Sequence, residues 1–274
     1  MPGELTVGLL QLNSGEDVQK NIEQTCALIR QAAAGGAEFI LTPEMTSILE
    51  IRSGRLFDKT CDEEVDPALA AFRSLARELD VWLLIGSLAV RLAENSMTNR
   101  SYLIDPGGRL VARYDKMHMF DVELGKGQTY RESKNFSAGK HLVVAETPWG
   151  LLGLSICYDI RFPYLYRRLA RMGAKMLAVP SAFTKTTGRA HWHVLLRARA
   201  IETGCFLLAP AQCGRHSGGR QTFGHSLVVN PWGEIIKEAG EEVGVMLAKL
   251  DLNEVDKARR KIPSLKHTVP ISEI

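Results

Sequence analysis

Short apolar runs rich in valine, isoleucine and leucine recur along the chain, separated by stretches in which apolar positions return every three or four residues. The runs TVGLLQL (6–12), FILTP (39–43), VWLLIGS (81–87), GLSIC (153–157), MLAVP (176–180) and CFLLAPA (205–211) predict strands. They are apolar at successive positions, which predicts sheets covered on both faces. Between the first two runs, Val18, Ile22, Cys26, Ile29 and Ala33 share one helical face, and Gly35-Gly36 ends the helix. Cys26 thus reads as an inert core thiol. A second helix opens at Asp66-Pro67, a capping acid followed by proline at the first helical position, and buries Leu69, Phe72, Leu75 and Leu79. Two more helices are expected over residues 163–172 and 191–203, the latter packing Trp192, Leu195, Leu196 and Ile201.

Three turn sequences, Asp105-Pro106-Gly107-Gly108, Thr147-Pro148-Trp149-Gly150 and Asn230-Pro231-Trp232-Gly233, each lie between two strand-like runs and read as hairpins. Hairpins mixed with strand–helix–strand units imply sheets with both parallel and antiparallel pairs. The architecture expected is a four-layer αββα sandwich: two mixed β-sheets packed face to face, with helices outside both. No linker or low-complexity segment interrupts residues 1–274, so they read as one domain.

Composition narrows the function classes. The net charge of +3 and the lack of a long Lys/Arg run offer no nucleic-acid footprint. The five cysteines, Cys26, Cys61, Cys157, Cys205 and Cys213, are odd in number and scattered, unlike a secreted disulfide framework. The apolar runs are too short to cross a bilayer, and the amino end lacks a basic region and a long apolar core. A soluble, cytoplasmic protein in a reducing compartment is expected.

Three predicted strands end in an ionisable residue: FILTPE at Glu44, LVARYDK at Lys116 and GLSIC at Cys157. Carboxyl ends of neighbouring strands gather at one sheet edge, where ligands bind. Singly, these residues have plain explanations: a solvated carboxylate, a surface lysine and a packed thiol. Together they form workable machinery. A thiol needs a base or a nearby cation to act as nucleophile. Glu44 can take its proton, while Lys116 and the Tyr158 N–H can hold an oxyanion. Arg161, in CYDIRFP, has two readings: a clamp for a substrate carboxylate or a partner of Asp159. Thr184, Lys185 and Thr187 are further candidates to contact substrate, whereas Arg167, Arg168 and Arg171 read as a solvated helix face. His191 starts its helix, facing the site or capping it. His191, His193, Cys205, Cys213, His216 and His225 match no compact zinc pattern, so no metal site is expected.

LTPEM, YDKMHMFD and ICYDIRFP, in that order, resemble the nitrilase superfamily of carbon–nitrogen hydrolases, with the likeness running from about Thr6 to near Lys266. The resemblance implies a Glu44–Lys116–Cys157 catalytic triad and places a second family glutamate at Glu132 in YRESKNFSAG, there to keep Lys116 charged and oriented. PSAFTKTTGRAHWHVLLRARAIETGCF, AQCGRH and FGHSLVVNPWGE are similar to the amidase branch that acts on deaminated glutathione. It further implies a cysteine-dependent amidase without cofactor, forming a thioester on a small anionic 2-oxo-acid amide. An omega-amidase or N-carbamoyl-amide hydrolase is the alternative on the same triad, and a non-catalytic relative is the alternative in another class. It also implies a homodimer or higher oligomer, with the tail at about 262–274 meeting the partner. The segment 45–60, MTSILEIRSGRLFDKT, matches no branch pattern.

Overall fold

Along the strand Glu4–Gln11, Leu5, Val7 and Leu9 point into one apolar cluster while Leu10 joins another on the opposite face. That alternation follows from the two-residue period of a strand and sets the layers of the whole molecule. The computed structural model describes residues 3–50, 52–94, 96–125 and 129–270. Within it stand two six-stranded sheets. The first runs Gly244–Asp251, Glu4–Gln11, Phe39–Leu41, Trp82–Ala93, Ser96–Ile104, Leu110–Asp115; the second runs Ile235–Glu238, Leu227–Val229, Phe206–Ala209, Met176–Ala178, Gly150–Leu154, Val144–Thr147. Each sheet has three parallel strands at its centre and antiparallel neighbours outside them.

The helices Val18–Ala34 and Pro67–Leu79 bury Ile22, Ile29, Phe72 and Leu75 against Leu10, Ile40, Leu83 and Ile85 on the outer face of the first sheet. Pro163–Arg171 and Lys185–Thr203 supply Leu165, Leu169, Trp192 and Leu196 to the cluster that includes the second sheet. Between the sheets, Leu5, Val7, Leu9, Phe39 and Leu41 meet Leu152, Leu154, Met176 and Phe206 in that same cluster. The αββα sandwich is therefore the architecture, and all three turn sequences close antiparallel hairpins.

The differences lie at element ends. The apolar runs overrun their strands: FILTP is strand only to Leu41, GLSIC only to Leu154, MLAVP only to Ala178 and CFLLAPA only to Ala209. Burial continues past these points because the ends are covered by loops, which is why hydropathy alone cannot locate the last paired residue. The fourth long helix starts earlier than expected, at Lys185, because Thr184 caps it by accepting from the Thr187 N–H at 3.2 Å. His191 is therefore an exposed residue within the helix and not its cap, and Ile201 is exposed rather than core. Arg167 is not a solvated residue either, since it donates to the backbone carbonyls of Ser264 (3.2 Å) and His267 (3.0 Å) and anchors the tail. Among the described residues no helix is long and apolar enough to cross a membrane.

Candidate active site

The three singled-out residues lie just beyond strand ends, each on a segment held by specific bonds. Glu44 sits within a tight loop in which Thr46 Oγ1 donates to the Pro43 carbonyl at 2.7 Å, Gly86 N donates to Thr42 Oγ1 at 2.9 Å and Met45 N donates to Ser87 Oγ at 2.8 Å. A Cβ at Gly86 would sit 2.1 Å from the Thr42 carbonyl oxygen, so only glycine lets this loop cross the strand Trp82–Ala93 so closely. Lys116 follows the strand Leu110–Asp115, and its N–H donates to the Asn99 carbonyl at 2.9 Å. Cys157 opens a single 3-10 turn, Cys157–Arg161, with φ of 49°, a left-handed conformation that costs a non-glycine residue free energy. Its N–H donates to the Pro180 carbonyl at 2.9 Å, which fixes the elbow against the neighbouring strand end.

These segments bring Glu44, Lys116, Cys157 and Glu132 to one cavity of about 560 Å³, within the usual size of small-molecule sites. Lys116 is fully buried and donates through Nζ to Glu44 Oε1 at 2.8 Å and to both Glu132 oxygens at 2.9 Å. Glu44 Oε1 also accepts from Asn99 Nδ2 at 3.0 Å, and Oε2 accepts from the Ala182 N–H at 2.9 Å. Glu132 is oriented in turn by Asn99 Nδ2 at 3.2 Å and the Phe120 N–H at 2.6 Å.

Electrostatics sort the protons. Burial alone would neutralise Glu44, but the Lys116 ammonium outweighs it and holds the carboxyl below its ordinary value. Burial likewise opposes the Lys116 charge, yet Glu132 and Glu44 raise its pKa well above that of a free lysine. Burial, reinforced by the Glu44 charge, pushes the Cys157 thiol far up despite Lys116. The resting site thus holds a carboxylate, an ammonium and a neutral thiol, with the carboxylate facing the thiol.

Tyr158 lines the cavity, and its N–H, at the start of the turn, has no acceptor among the described residues. Thr184 and Thr187 also line the cavity, but their hydroxyls bond each other at 2.9 Å as part of the helix cap. Arg161 does not line the cavity: its guanidinium lies 3.3 Å from His191 Nδ1 and packs over the Tyr158 and Phe183 rings. Nor does it pair with Asp159, whose carboxylate accepts from Tyr114 OH (2.7 Å), the Ile156 N–H (2.9 Å), the His118 N–H (3.1 Å) and His118 Nδ1 (2.6 Å). Both readings of Arg161 give way to an aromatic and histidine setting.

Sequence reasoning missed Asn99 and Arg220. Asn99 sits within a strand and gave no signal. Arg220 lies in a glycine-rich hairpin, donates to the Ala182 carbonyl at 2.7 Å and packs 5.6 Å over the Tyr130 ring. Its Nε is buried without a hydrogen-bond partner, and among the described residues it has no carboxylate partner. Of the other cavity cations, Lys116 pairs with Glu44 and Glu132, and Lys185 and Arg131 pair with Glu241 and Glu123. The segment 45–60 is a wall of the cavity through Met45, Leu49, Glu50 and Leu56, with Glu50 held by Arg52 at 2.7 Å.

A family model described as carbon-nitrogen hydrolase matches residues 6–260. The deaminated glutathione amidase of Yersinia enterocolitica is 40% identical over 272 residues, covering 98% of this chain and 94% of the relative. The human protein of that name is 39% identical over 269 residues, covering 96% of this chain and 82% of its own. Among solved structures, the Caenorhabditis elegans NitFhit protein superposes with a TM-score of 0.90 at 36% identity; 97% of this chain spans only 65% of that one. A mutant amidase from Nesterenkonia sp. AN1, solved with acrylamide added to its active-site cysteine, gives a TM-score of 0.80 at 27% identity, covering 94% of this chain and 98% of that one. The chain belongs to the carbon–nitrogen hydrolases of the nitrilase superfamily, enzymes that hydrolyse carbon–nitrogen bonds other than peptide bonds, and stands with its deaminated glutathione amidase branch.

Proposed function

We propose that this cysteine-dependent amidase hydrolyses deaminated glutathione, a small anionic 2-oxo-acid amide, through a thioester on Cys157. The observation that carries the reading is the ionised Glu44 facing a neutral Cys157 thiol, with the Lys116 ammonium bonded at 2.8 Å to the same carboxylate. As Cys157 Sγ attacks the amide carbon, its proton passes to Glu44 and a carbon–sulfur bond forms. Lys116 and the Tyr158 N–H hold the resulting oxyanion; one such donor contributes about 3–4 kcal/mol in comparable sites. The carbon–nitrogen bond then breaks, and the leaving amine takes the proton from Glu44. Water, deprotonated by Glu44, attacks the thioester; the acid departs and the thiol regains its proton. Glu132 positions Lys116 and exchanges no proton.

Arg220 is the cation that fits a substrate carboxylate, because it lines the cavity and has no carboxylate partner among the described residues. The two curated relatives reported above supply the substrate's name. Incubation with deaminated glutathione should release cysteinylglycine. Ammonia from 2-oxoglutaramate without any dipeptide product would favour an omega-amidase instead, and neither product would overturn the substrate assignment. A homodimer in the cytoplasm completes the proposal: Tyr164, Val194, Ile201 and Ile262 expose an apolar surface on and near the second-sheet helices. Light scattering should give twice the 30.3 kDa chain mass.

A further inference from the structure

Away from the cavity, the fold gathers three potential ligands that lie far apart in sequence. His193 Nε2 lies 2.9 Å from Glu238 Oε1, and His225 Nδ1 lies 2.7 Å from the same oxygen. All three ligand atoms fall within 4.8 Å of one another. We propose that His193, His225 and Glu238 form a surface site for a divalent transition ion of the zinc class.

The donor set, two imidazoles and a carboxylate, is one that zinc accepts, with water available for the fourth position. Bonds of roughly 2 Å in a tetrahedron place ligand atoms roughly 3.3 Å apart, so an ion would spread the two histidine–carboxylate pairs by roughly half an ångström. At each histidine the ring proton moves to the other nitrogen, leaving Nε2 of His193 and Nδ1 of His225 as lone-pair donors. The rings are already aimed. His225 adopts φ of 56°, held by its N–H donating to the Gly240 carbonyl at 3.1 Å and by Trp192 Nε1 donating to the His225 carbonyl at 2.8 Å. Phe223 stacks on the His225 ring with centroids 4.3 Å apart and meets His193 edge-on at 6.0 Å, giving an apolar wall behind the ligands. Glu238 lies on the exposed strand Ile235–Glu238, so the site opens to solvent. A bound ion would tie that strand and the turn after Phe223 to the helix whose first turn lines the cavity.

Zinc should be titrated calorimetrically into chelator-stripped Cys157→Ala protein, which removes the reactive thiol as a competing ligand. One equivalent is expected to bind, and His193→Ala and His225→Ala in that background should each weaken binding tenfold or more, with circular dichroism confirming the fold. Cobalt in place of zinc should give visible d–d bands without thiolate charge transfer. The proposal is overturned if no zinc binds, if binding survives both histidine substitutions unchanged, or if a thiolate band appears. None of these readouts depends on amidase activity.

Discussion

Two buried carboxylates flank the Cys157 elbow and have opposite surroundings. Asp159, two residues beyond the cysteine, accepts four hydrogen bonds, from Tyr114, Ile156 and twice from His118. With both oxygens saturated, it stitches the turn Cys157–Arg161 to the strand that ends before Lys116. Glu44 accepts from Lys116, Asn99 and Ala182, yet it also faces the thiol and the cavity. The saturated carboxylate builds the elbow, and the one with a free approach can move a proton. Burial is common to both, so the difference is which neighbours remain uncommitted.

Substitutions sharpen that contrast. Lys116→Met should have the largest effect, because it leaves the buried Glu44 and the partly buried Glu132 without their cation: about 3–5 kcal/mol of stability lost in chemical denaturation, and turnover below detection. Glu44→Gln, which leaves Lys116 paired to Glu132, should lower kcat by about 10²–10⁴-fold while moving the denaturation midpoint less than Asp159→Asn does. The pH profile follows from the lowered Glu44 value. Its stabilising contribution is present above the unfolded carboxyl pKa of about 4.3 and is lost as pH falls through the lower folded value. The acid limb of kcat/KM should therefore lie below about pH 4.3, with no rise near pH 8.5 where a free thiol ionises. Arg220→Met should raise KM for an anionic amide about 10–100-fold and leave kcat within a few-fold, a split visible in steady-state kinetics. Asp159→Asn should cost about 1–3 kcal/mol of stability and change kcat less than tenfold, reversing the Glu44→Gln pattern. Equal losses of kcat in both variants would erase the distinction. Arg161→Ala should leave KM within twofold, since its guanidinium lies outside the cavity lining.

The layers were legible in the chain because apolar runs and helical stripes report burial directly, and the three hairpin turns carried their own chemistry. Glu44, Lys116 and Cys157 were legible through strand ends and Glu132 through the family resemblance, and the fold does bring all four together. Local spacing says nothing about which distant loops converge. Arg220 was invisible because its role depends on the hairpin folding back against Ala182, and Asn99 because it sits mid-strand between two carboxylates. The pairing of His193 with His225 through Glu238 was lost for the same reason. Arg161 shows the converse: nearness in sequence to Cys157 suggested a clamp, while the turn directs its side chain to His191.

The central claim is that Cys157 carries the acyl group while Glu44 shuttles its proton. Acid-quenching the enzyme during turnover and mapping its peptides by mass tests this directly. One acyl group should sit on the peptide containing Cys157, accumulate with slowly hydrolysed amides and vanish in Cys157→Ala, which should also lose hydrolysis. An acyl group on Cys205, Cys213 or another residue, or amide hydrolysis surviving in Cys157→Ala, would contradict the account.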